Sequence, residues 1–189
     1  MKVVVVYASG GGNTRETAEC AAEGVLEADA EVDIYNAYLL DASILLEADA
    51  VLVGEPTHGD GEHHGDFIPF DRSMAAHLVP GRRLAGVPAA GFVGCDRAYR
   101  KFGGAIELIE NRLVECGARI MQPGLKIELR HTAQSRLFTR EWGRDFVRRA
   151  RGELPPVEYR PAMTREQVDA VMGITPEERA RRETRGLAR

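Results

Sequence analysis

The first fourteen residues, MKVVVVYASGGGNT, constrain the fold more than any other part of the chain. Residues 2–7 are an apolar, β-branched run without polar alternation, which predicts a strand buried on both faces. A glycine-rich turn follows, and apolar residues then recur at helical spacing from Thr14 to Glu27. A strand that leads through glycines to a helix N-terminus directs backbone N–H groups and the positive end of the helix dipole toward one point. The pattern favours a phosphate site, and a simple tight turn is the alternative.

The turn lacks the signatures of two common nucleotide sites. No Lys-Ser or Lys-Thr pair follows the glycines, so the turn is not a Walker A loop. Arg15 stands where the spacing G-x-G-x-x-G requires its last glycine, so the dinucleotide fingerprint is also absent. Neither of these two kinds of nucleotide site is therefore predicted.

Strand and helix patterns alternate along the first 152 residues, which predicts an α/β domain with a parallel, doubly wound sheet. Four further strands are predicted at 31–35, 50–54, 87–94 and, interrupted, at 118–122 with 125–129, and further helices at 66–77, 103–116 and 133–151. We expect residues 1–152 to form one domain and residues 153–189 to form a proline-containing linker and two short helices. Two capping boxes place those helices at 164–172 and 175–185. They either pack back on the domain or bind a partner.

Composition excludes several classes of protein. The three cysteines are odd in number and widely spaced, which is typical of reduced thiols in a cytoplasm. No apolar stretch approaches the length of a membrane span, so no membrane partner is expected. The arginine-rich run between 136 and 151 lacks the interleaved aromatics of a nucleic-acid platform, which indicates an ordinary solvated helix face and no nucleic-acid partner.

Charge is divided unevenly along the chain. Residues 1–70 carry two basic and fourteen acidic side chains, a net charge of −12, whereas residues 71–189 have a net charge of +8. Such a division either orients a charged protein partner before contact or reflects scattered solvated charges. The sequence does not assign faces, so both interpretations stay open here.

Several loops at predicted strand ends together resemble those of short-chain flavodoxins. The matching segments are Tyr7-Ala8-Ser9 with Gly12-Asn13-Thr14, Thr57-His58-Gly59-Asp60, Asp66-Phe67-Ile68-Pro69-Phe70, Asp96 with Tyr99 and Phe102-Gly103-Gly104-Ala105, and Gly124-Leu125-Lys126-Ile127. The resemblance covers residues 2–151, and the chain continues beyond it into its C-terminal helical extension. It implies a five-stranded sheet ordered 2-1-3-4-5 that holds FMN non-covalently at the carboxyl ends of the strands.

The resemblance also implies a role for each loop in binding FMN. The phosphate would bind to Ser9, Gly10, Gly11, Gly12, Asn13 and Thr14, where flavodoxins usually have hydroxyl residues in place of the first two glycines. One edge of the isoalloxazine would contact Pro56, Thr57, His58, Gly59 and Asp60, with the Gly59 peptide turning toward the flavin N5. The remaining contacts would come from Gly94, Cys95, Asp96, Tyr99, Phe102 and Gly103. Tyr99 would stack on one flavin face, and His58 would take the place of a tryptophan on the other.

Cations around Tyr99 are the largest departure from the family pattern. Arg97, Arg100 and Lys101 stand where flavodoxins usually have small polar or acidic residues. We expect them to favour the reduced, anionic flavin and so to make its potential less negative than is usual for the family. The same cations would also suit an acidic partner protein or an anionic substrate.

Histidines in the second of these loops raise the question of a metal site. His58, His63 and His64 lie near three acidic residues, but their spacing matches no standard metal site. Solvated loop side chains are the expected outcome, and no metal is predicted. Cys95 beside Asp96 has no neighbour in sequence that marks it as a nucleophile.

Three functions are consistent with these observations. The leading one is a cytoplasmic FMN protein that shuttles single electrons between a reductase and a partner redox enzyme, without catalytic residues of its own. The second is an FMN-dependent reductase of a quinone or another small acceptor, favoured by the cations and by the missing tryptophan. The third is a flavodoxin-fold interaction module that has lost FMN and binds a partner through its C-terminal helices.

Overall fold

The alternation of strands and helices in the computed structural model follows the predicted order. The structure describes residues 1–157 and 163–186, with side chains described as far as Arg181. Its elements are β1 (Lys2–Tyr7), α1 (Asn13–Glu27), β2 (Glu31–Asn36), a 3-10 helix (Ala42–Glu47), β3 (Ala50–Pro56), α2 (Ile68–His77), β4 (Pro88–Cys95), α3 (Ala105–Glu115), β5 (Arg119–Ile120), β6 (Leu125–Glu128), α4 (Ala133–Ala150), α5 (Arg165–Met172) and α6 (Pro176–Gly186).

All strand pairs in the sheet are parallel. The order is β2-β1-β3-β4-β5, and β6 also pairs with β4. β5 pairs with the start of β4 and β6 with its end, so the two short strands are the halves of the interrupted fifth strand. The predicted order 2-1-3-4-5 is therefore confirmed. Val3 and Val5 face one side of the sheet and Val4 and Val6 the other, as the two-residue period of a strand requires.

Two helices begin later than the sequence pattern predicts. α2 begins at Ile68, two residues after its predicted start, because residues 64–67 form a turn in which the Phe67 N–H donates to the His64 carbonyl. α3 begins at Ala105 because Gly103, with φ of +62°, lies outside the helical region. Both delays lengthen loops at the carboxyl edge of the sheet.

The uneven charge along the chain is partly neutralised between α1 and α4. Arg136 lies 2.5 Å from Glu16, and Arg140 pairs with Glu27. The arginine-rich face of α4 is thus set against the acidic face of α1. The opposite charges of these residues form ion pairs inside the molecule. Neither orientation of a charged partner nor scattered solvated charge, the two interpretations of the sequence, describes them.

The C-terminal extension packs back on the domain. Val168, Val171, Met172 and Ile174 are buried in the same apolar cluster as the α1 and α4 side of the sheet. Of the two outcomes left open by the sequence, the structure therefore shows the intramolecular one for α5. The predicted linker falls partly at 158–162, outside the described residues. Within the described part of the chain, no helix has the length and apolar character needed to cross a membrane.

Candidate cofactor site at the carboxyl edge of the sheet

Three loops meet where adjacent parallel strands end. The first loop (residues 8–12) follows β1, the second (57–67) follows β3 and the third (96–104) follows β4. Because β1, β3 and β4 are neighbours, these loops leave the sheet at one edge. A Cβ built on Gly10 would lie 3.3 Å from His64 Nε2, and one built on Gly104 would lie 2.8 Å from Gly61 Cα. The second loop therefore touches both of the others.

The first loop forms a cradle of backbone donors. Ser9 Oγ accepts a hydrogen bond from the Gly12 N–H at 3.0 Å, which closes the turn. Gly12 has φ of +88° and caps α1 without offering a side chain to the N–H groups of the first helical turn. A Cβ on Gly11 or Gly12 would meet no atom within 4 Å, so the space in front of the cradle is open. Free N–H groups, the helix dipole and open space are what a phosphate needs.

The second loop folds back on itself above a buried carboxylate. His58 and Glu62 exchange two backbone hydrogen bonds, of 3.1 and 2.8 Å, around Gly59 and Gly61, whose φ values are both positive. Below them Glu55 is fully buried, and its two carboxylate oxygens contact His63 Nδ1 at 2.5 Å and the backbone N–H of His64 at 2.7 Å. Glu55 thereby holds the returning arm of the loop.

Thr57 carries an unpartnered polar atom in the same loop. Its side chain is 6% exposed, and Oγ1 has no hydrogen-bond partner among the described residues. A buried hydroxyl without a partner is costly, and a ligand with polar atoms removes that cost. Thr57 was one of the predicted flavin contacts, and its hydroxyl fits the polar edge of such a ring.

From the sequence His64 is only a possible metal ligand, whereas the structure makes it a candidate contact for the cofactor. Its Nδ1 accepts from the backbone N–H of Asp66 at 3.3 Å, which leaves Nε2 as the donor on the side of Gly10. The imidazole thus lies against a position where flavodoxins usually carry a hydroxyl. A glycine at that position and a histidine in the facing loop were both visible in the sequence, but only the fold brings them together.

The third loop is a tight turn with one exposed ring. Asp96 accepts from the Ala98 N–H through Oδ1 at 2.9 Å and from the Tyr99 N–H through its carbonyl at 3.1 Å. Tyr99 is 38% exposed, and His58 is exposed in the second loop. These two rings, the predicted flavin neighbours, are therefore accessible from solvent.

Other residues predicted to contact the cofactor lie deeper. Burial raises the pKa of the Cys95 thiol well above its usual value, and the thiol donates to the Ile127 carbonyl, so Cys95 stays protonated and structural. Lys126 Nζ lies 5.8 Å from the centroid of the half-buried Phe102 ring. Gly103 packs against the Lys126 side chain. Phe102 and Gly103 thus support the third loop from within.

Arg97 corrects the expectation of three available cations beside the flavin. Its guanidinium is 8% exposed and pairs at 2.5 Å with both Glu128 and Asp169, which are 1% exposed. Arg97 is therefore neutralised inside the protein and is not available to an anionic partner or substrate. Arg100 and Lys101 are exposed, and neither forms an ion pair with any described residue.

The histidine-rich second loop forms no metal cluster in the described part of the chain. No three His, Cys, Asp or Glu side chains there are placed to hold a metal ion. His63 instead pairs with Glu55, and its Nε2 lies 3.8 Å from Asp71. His63 is thus engaged by residues of β3 and α2, and His64 Nδ1 accepts from the Asp66 N–H, whereas His58 is exposed, as expected of a solvated loop side chain.

The Glu55–His63 pair predicts a pH dependence of stability. Desolvation raises the pKa of Glu55. For His63, burial lowers the pKa, but contact with Glu55 and Asp71 outweighs burial, so that the pKa of His63 is raised. Between the imidazole's unfolded pKa of about 6.5 and its higher folded value, the native state holds a proton that the unfolded state has lost. Stability from this pair is therefore present at lower pH and is lost as pH rises through the folded pKa.

We expect urea unfolding between pH 6 and pH 9 to show this loss in the wild type and much less of it in His63→Gln. The slope from one proton is at most ~1.4 kcal/mol per pH unit. His131, whose pKa is lowered by burial, acts in the opposite direction, but it is present in both proteins and cancels in their difference. Equal pH dependence in the two proteins would contradict the assignment.

The chain resembles known proteins in both sequence and fold. A family model for flavodoxins matches residues 5–142. The Bacillus subtilis protein named "Probable flavodoxin 2" is 31% identical over 150 residues, which is 79% of this chain and 96% of that protein. A flavodoxin of Nitratidesulfovibrio vulgaris is 38% identical over 130 residues, 67% of this chain and 84% of its own. Oxidised Flavodoxin 1 from Bacillus cereus superposes with a TM-score of 0.72 at 34% identity, over 78% of this chain and 98% of that one.

Proposed function

The chain belongs to the flavodoxin family, whose members bind FMN and transfer electrons, and we propose that this protein is a cytoplasmic carrier of single electrons between a reductase and a partner redox enzyme. The observation that supports this most directly is the convergence of three loops on one edge of the sheet, with an open anion cradle in the first. When bound there, FMN supplies one-electron chemistry that the amino-acid side chains lack.

The residues present fit that cofactor. The backbone donors of residues 10–14 and His64 Nε2 would hold the phosphate, and the Thr57 hydroxyl would contact the polar edge of the ring. Tyr99 and His58 would flank the flavin, and their own exposure would leave an edge of the ring open to a partner protein. In this arrangement the chain binds, orients and shields the cofactor, and no side chain is required as an acid, a base or a nucleophile.

A second function has an observation in its favour. Arg100 and Lys101 are exposed beside Tyr99, and His58 offers less cover than the tryptophan of many flavodoxins. A flavin ring that is accessible next to two cations would suit direct reduction of a quinone or another small acceptor. An interaction module without FMN gains no support, because the cradle is open and the family binds FMN.

The proposed function is tested with the purified protein. We expect flavin absorbance bands in protein from cells, or after addition of FMN and desalting, and slow oxidation of NADPH by the protein alone. Adding a flavodoxin reductase should accelerate the transfer of electrons to the bound flavin. Rapid oxidation of NADPH with a quinone and no added reductase would favour the second function, and colourless protein in excess FMN would contradict both.

A further inference from the structure

The C-terminal extension contacts the third loop, one of the three that form the candidate site. α5 and α6 lie beyond residues 5–142, which the flavodoxin family model matches. Nothing in a plain flavodoxin domain requires these helices. Their contacts with residues 96–104 therefore suggest a role that is specific to this chain.

The first contact is a buried array of ionised groups. Arg97, in the third loop, donates through Nε and Nη2 to Glu128 at the end of β6, at 2.6 and 2.5 Å. Nη2 also donates to Asp169 Oδ1, on α5, at 2.5 Å. The other oxygen of Asp169 lies 2.6 Å from Arg179 Nε on α6. One guanidinium thus joins the loop, the sheet and the C-terminal extension.

The second contact involves the backbone and an aromatic ring of the loop. Arg165, at the start of α5, donates through Nη2 to the Tyr99 carbonyl at 3.3 Å. Its guanidinium carbon lies 5.5 Å from the centroid of the Phe102 ring, within the range of a cation–π contact. α5 therefore holds the loop at Arg97, Tyr99 and Phe102, on both sides of the exposed tyrosine ring.

Buried ion pairs of this kind determine geometry more than they add stability. Desolvation of the charges cancels much of their attraction, but loss of one partner leaves a buried charge uncompensated. The planar guanidinium also donates its hydrogen bonds only to partners within a narrow range of positions. Arg97 can satisfy Glu128 and Asp169 together only when the third loop lies in its observed position.

We propose that α5 holds the third loop in its flavin-binding conformation, with Asp169 as a positioning residue that acts through Arg97. This inference rests on the proposed function, because it concerns the loop that would carry Tyr99 beside the flavin. A loop ordered in advance loses little conformational entropy when the cofactor binds. The extension would thus raise FMN affinity without touching the cofactor.

The test compares Asp169→Asn with Arg179→Gln in the 189-residue chain. Both variants alter the contact between Asp169 and Arg179. Only Asp169→Asn also removes the carboxylate that holds Arg97. We expect Asp169→Asn to weaken FMN binding about tenfold. The released third loop regains conformational entropy, and FMN binding must then order the loop again. Arg179→Gln is expected to change the dissociation constant less than twofold.

Amide hydrogen exchange without added FMN supplies a readout that does not depend on the cofactor. The amides of Ala98 and Tyr99, which donate to Asp96, should exchange at least tenfold faster in Asp169→Asn. Those of His58 and Glu62 in the second loop should not change. Arg165→Ala replaces an exposed residue and provides the same test if Asp169→Asn fails to fold. It should accelerate hydrogen exchange at the same two amides and weaken FMN binding about threefold.

Two results would overturn the inference: FMN affinity and exchange at Ala98 and Tyr99 unchanged in the folded variants, or equal acceleration in the second and third loops. The latter would indicate general loosening of the fold. If the wild type binds no FMN, the proposed function fails, and the exchange rates alone still decide whether α5 orders the third loop.

Discussion

Ser9→Asp is expected to weaken FMN binding at least a hundredfold while the fold stays intact. Ser9 Oγ accepts from the Gly12 N–H, and an aspartate oxygen can accept the same hydrogen bond, so the turn is retained. The new carboxylate, however, brings a negative charge into the proposed phosphate cradle. Two unit charges 4 Å apart near a protein surface repel by about 4 kcal/mol, and each tenfold loss of affinity corresponds to ~1.4 kcal/mol. Fluorescence titration of the apoprotein measures the affinity.

Two controls separate charge from shape in this experiment. Ser9→Asn has nearly the same size as the aspartate variant and no charge, so it should retain FMN affinity within about tenfold. Riboflavin lacks the phosphate, and its weaker binding should be nearly equal in both variants. A similar loss for riboflavin and FMN in Ser9→Asp would mean that the loop had been distorted and would place the phosphate elsewhere.

His64→Ala extends the same titration to the facing loop. Hydrogen bonds to charged groups contribute about 1.5–3 kcal/mol, so loss of the Nε2 donor should weaken FMN binding tenfold or more and leave riboflavin unaffected. An FMN affinity equal to that of the wild type would remove His64 from the phosphate site without affecting the assignment of the first loop.

Gly24→Ala is expected to lower the free energy of unfolding by about 3 kcal/mol. In an exposed helix the same substitution stabilises by roughly 1 kcal/mol, because alanine has the higher helix propensity. Here a Cβ on Gly24 would lie 1.9 Å from the Arg140 carbonyl oxygen, and one on Gly143 would lie 2.2 Å from the Ala21 carbonyl oxygen. α1 and α4 are in backbone contact at these glycines, so an added methyl group must push the helices apart. Urea unfolding measures the change.

Leu137→Ala is the matched control on α4. Its side chain is 61% exposed, so its loss should change stability by less than about 0.5 kcal/mol. Gly143→Ala should destabilise in the same direction as Gly24→Ala, because it meets the same interface from the other helix. A stabilising effect of either glycine substitution would show that α1 and α4 are not in backbone contact.

Much of the fold was predictable because its signals are local. Neighbouring residues contain the buried run of β1, the glycine turn and the apolar periodicity of α1. The sequence pattern of a strand does not depend on where its partner strands lie. The capping boxes before α5 and α6 are likewise local, and helices begin there as predicted. The 3-10 helix Ala42–Glu47 was not predicted, because six residues show too little periodicity to distinguish it from a loop.

The sequence by itself determined the strands and the α-helices, the order of the strands in the sheet through the family resemblance, and which loops lie at its carboxyl edge. The tertiary structure alone decided which side chains meet there. Arg97 is separated in sequence from Glu128 by 31 residues and from Asp169 by 72, and its formal charge says nothing of the burial and pairing that neutralise it. His64 is placed against Gly10 in the same way, by the pairing of β1 with β3. Local patterns follow from short-range sterics and hydrogen bonding, whereas such contacts depend on how the whole chain packs.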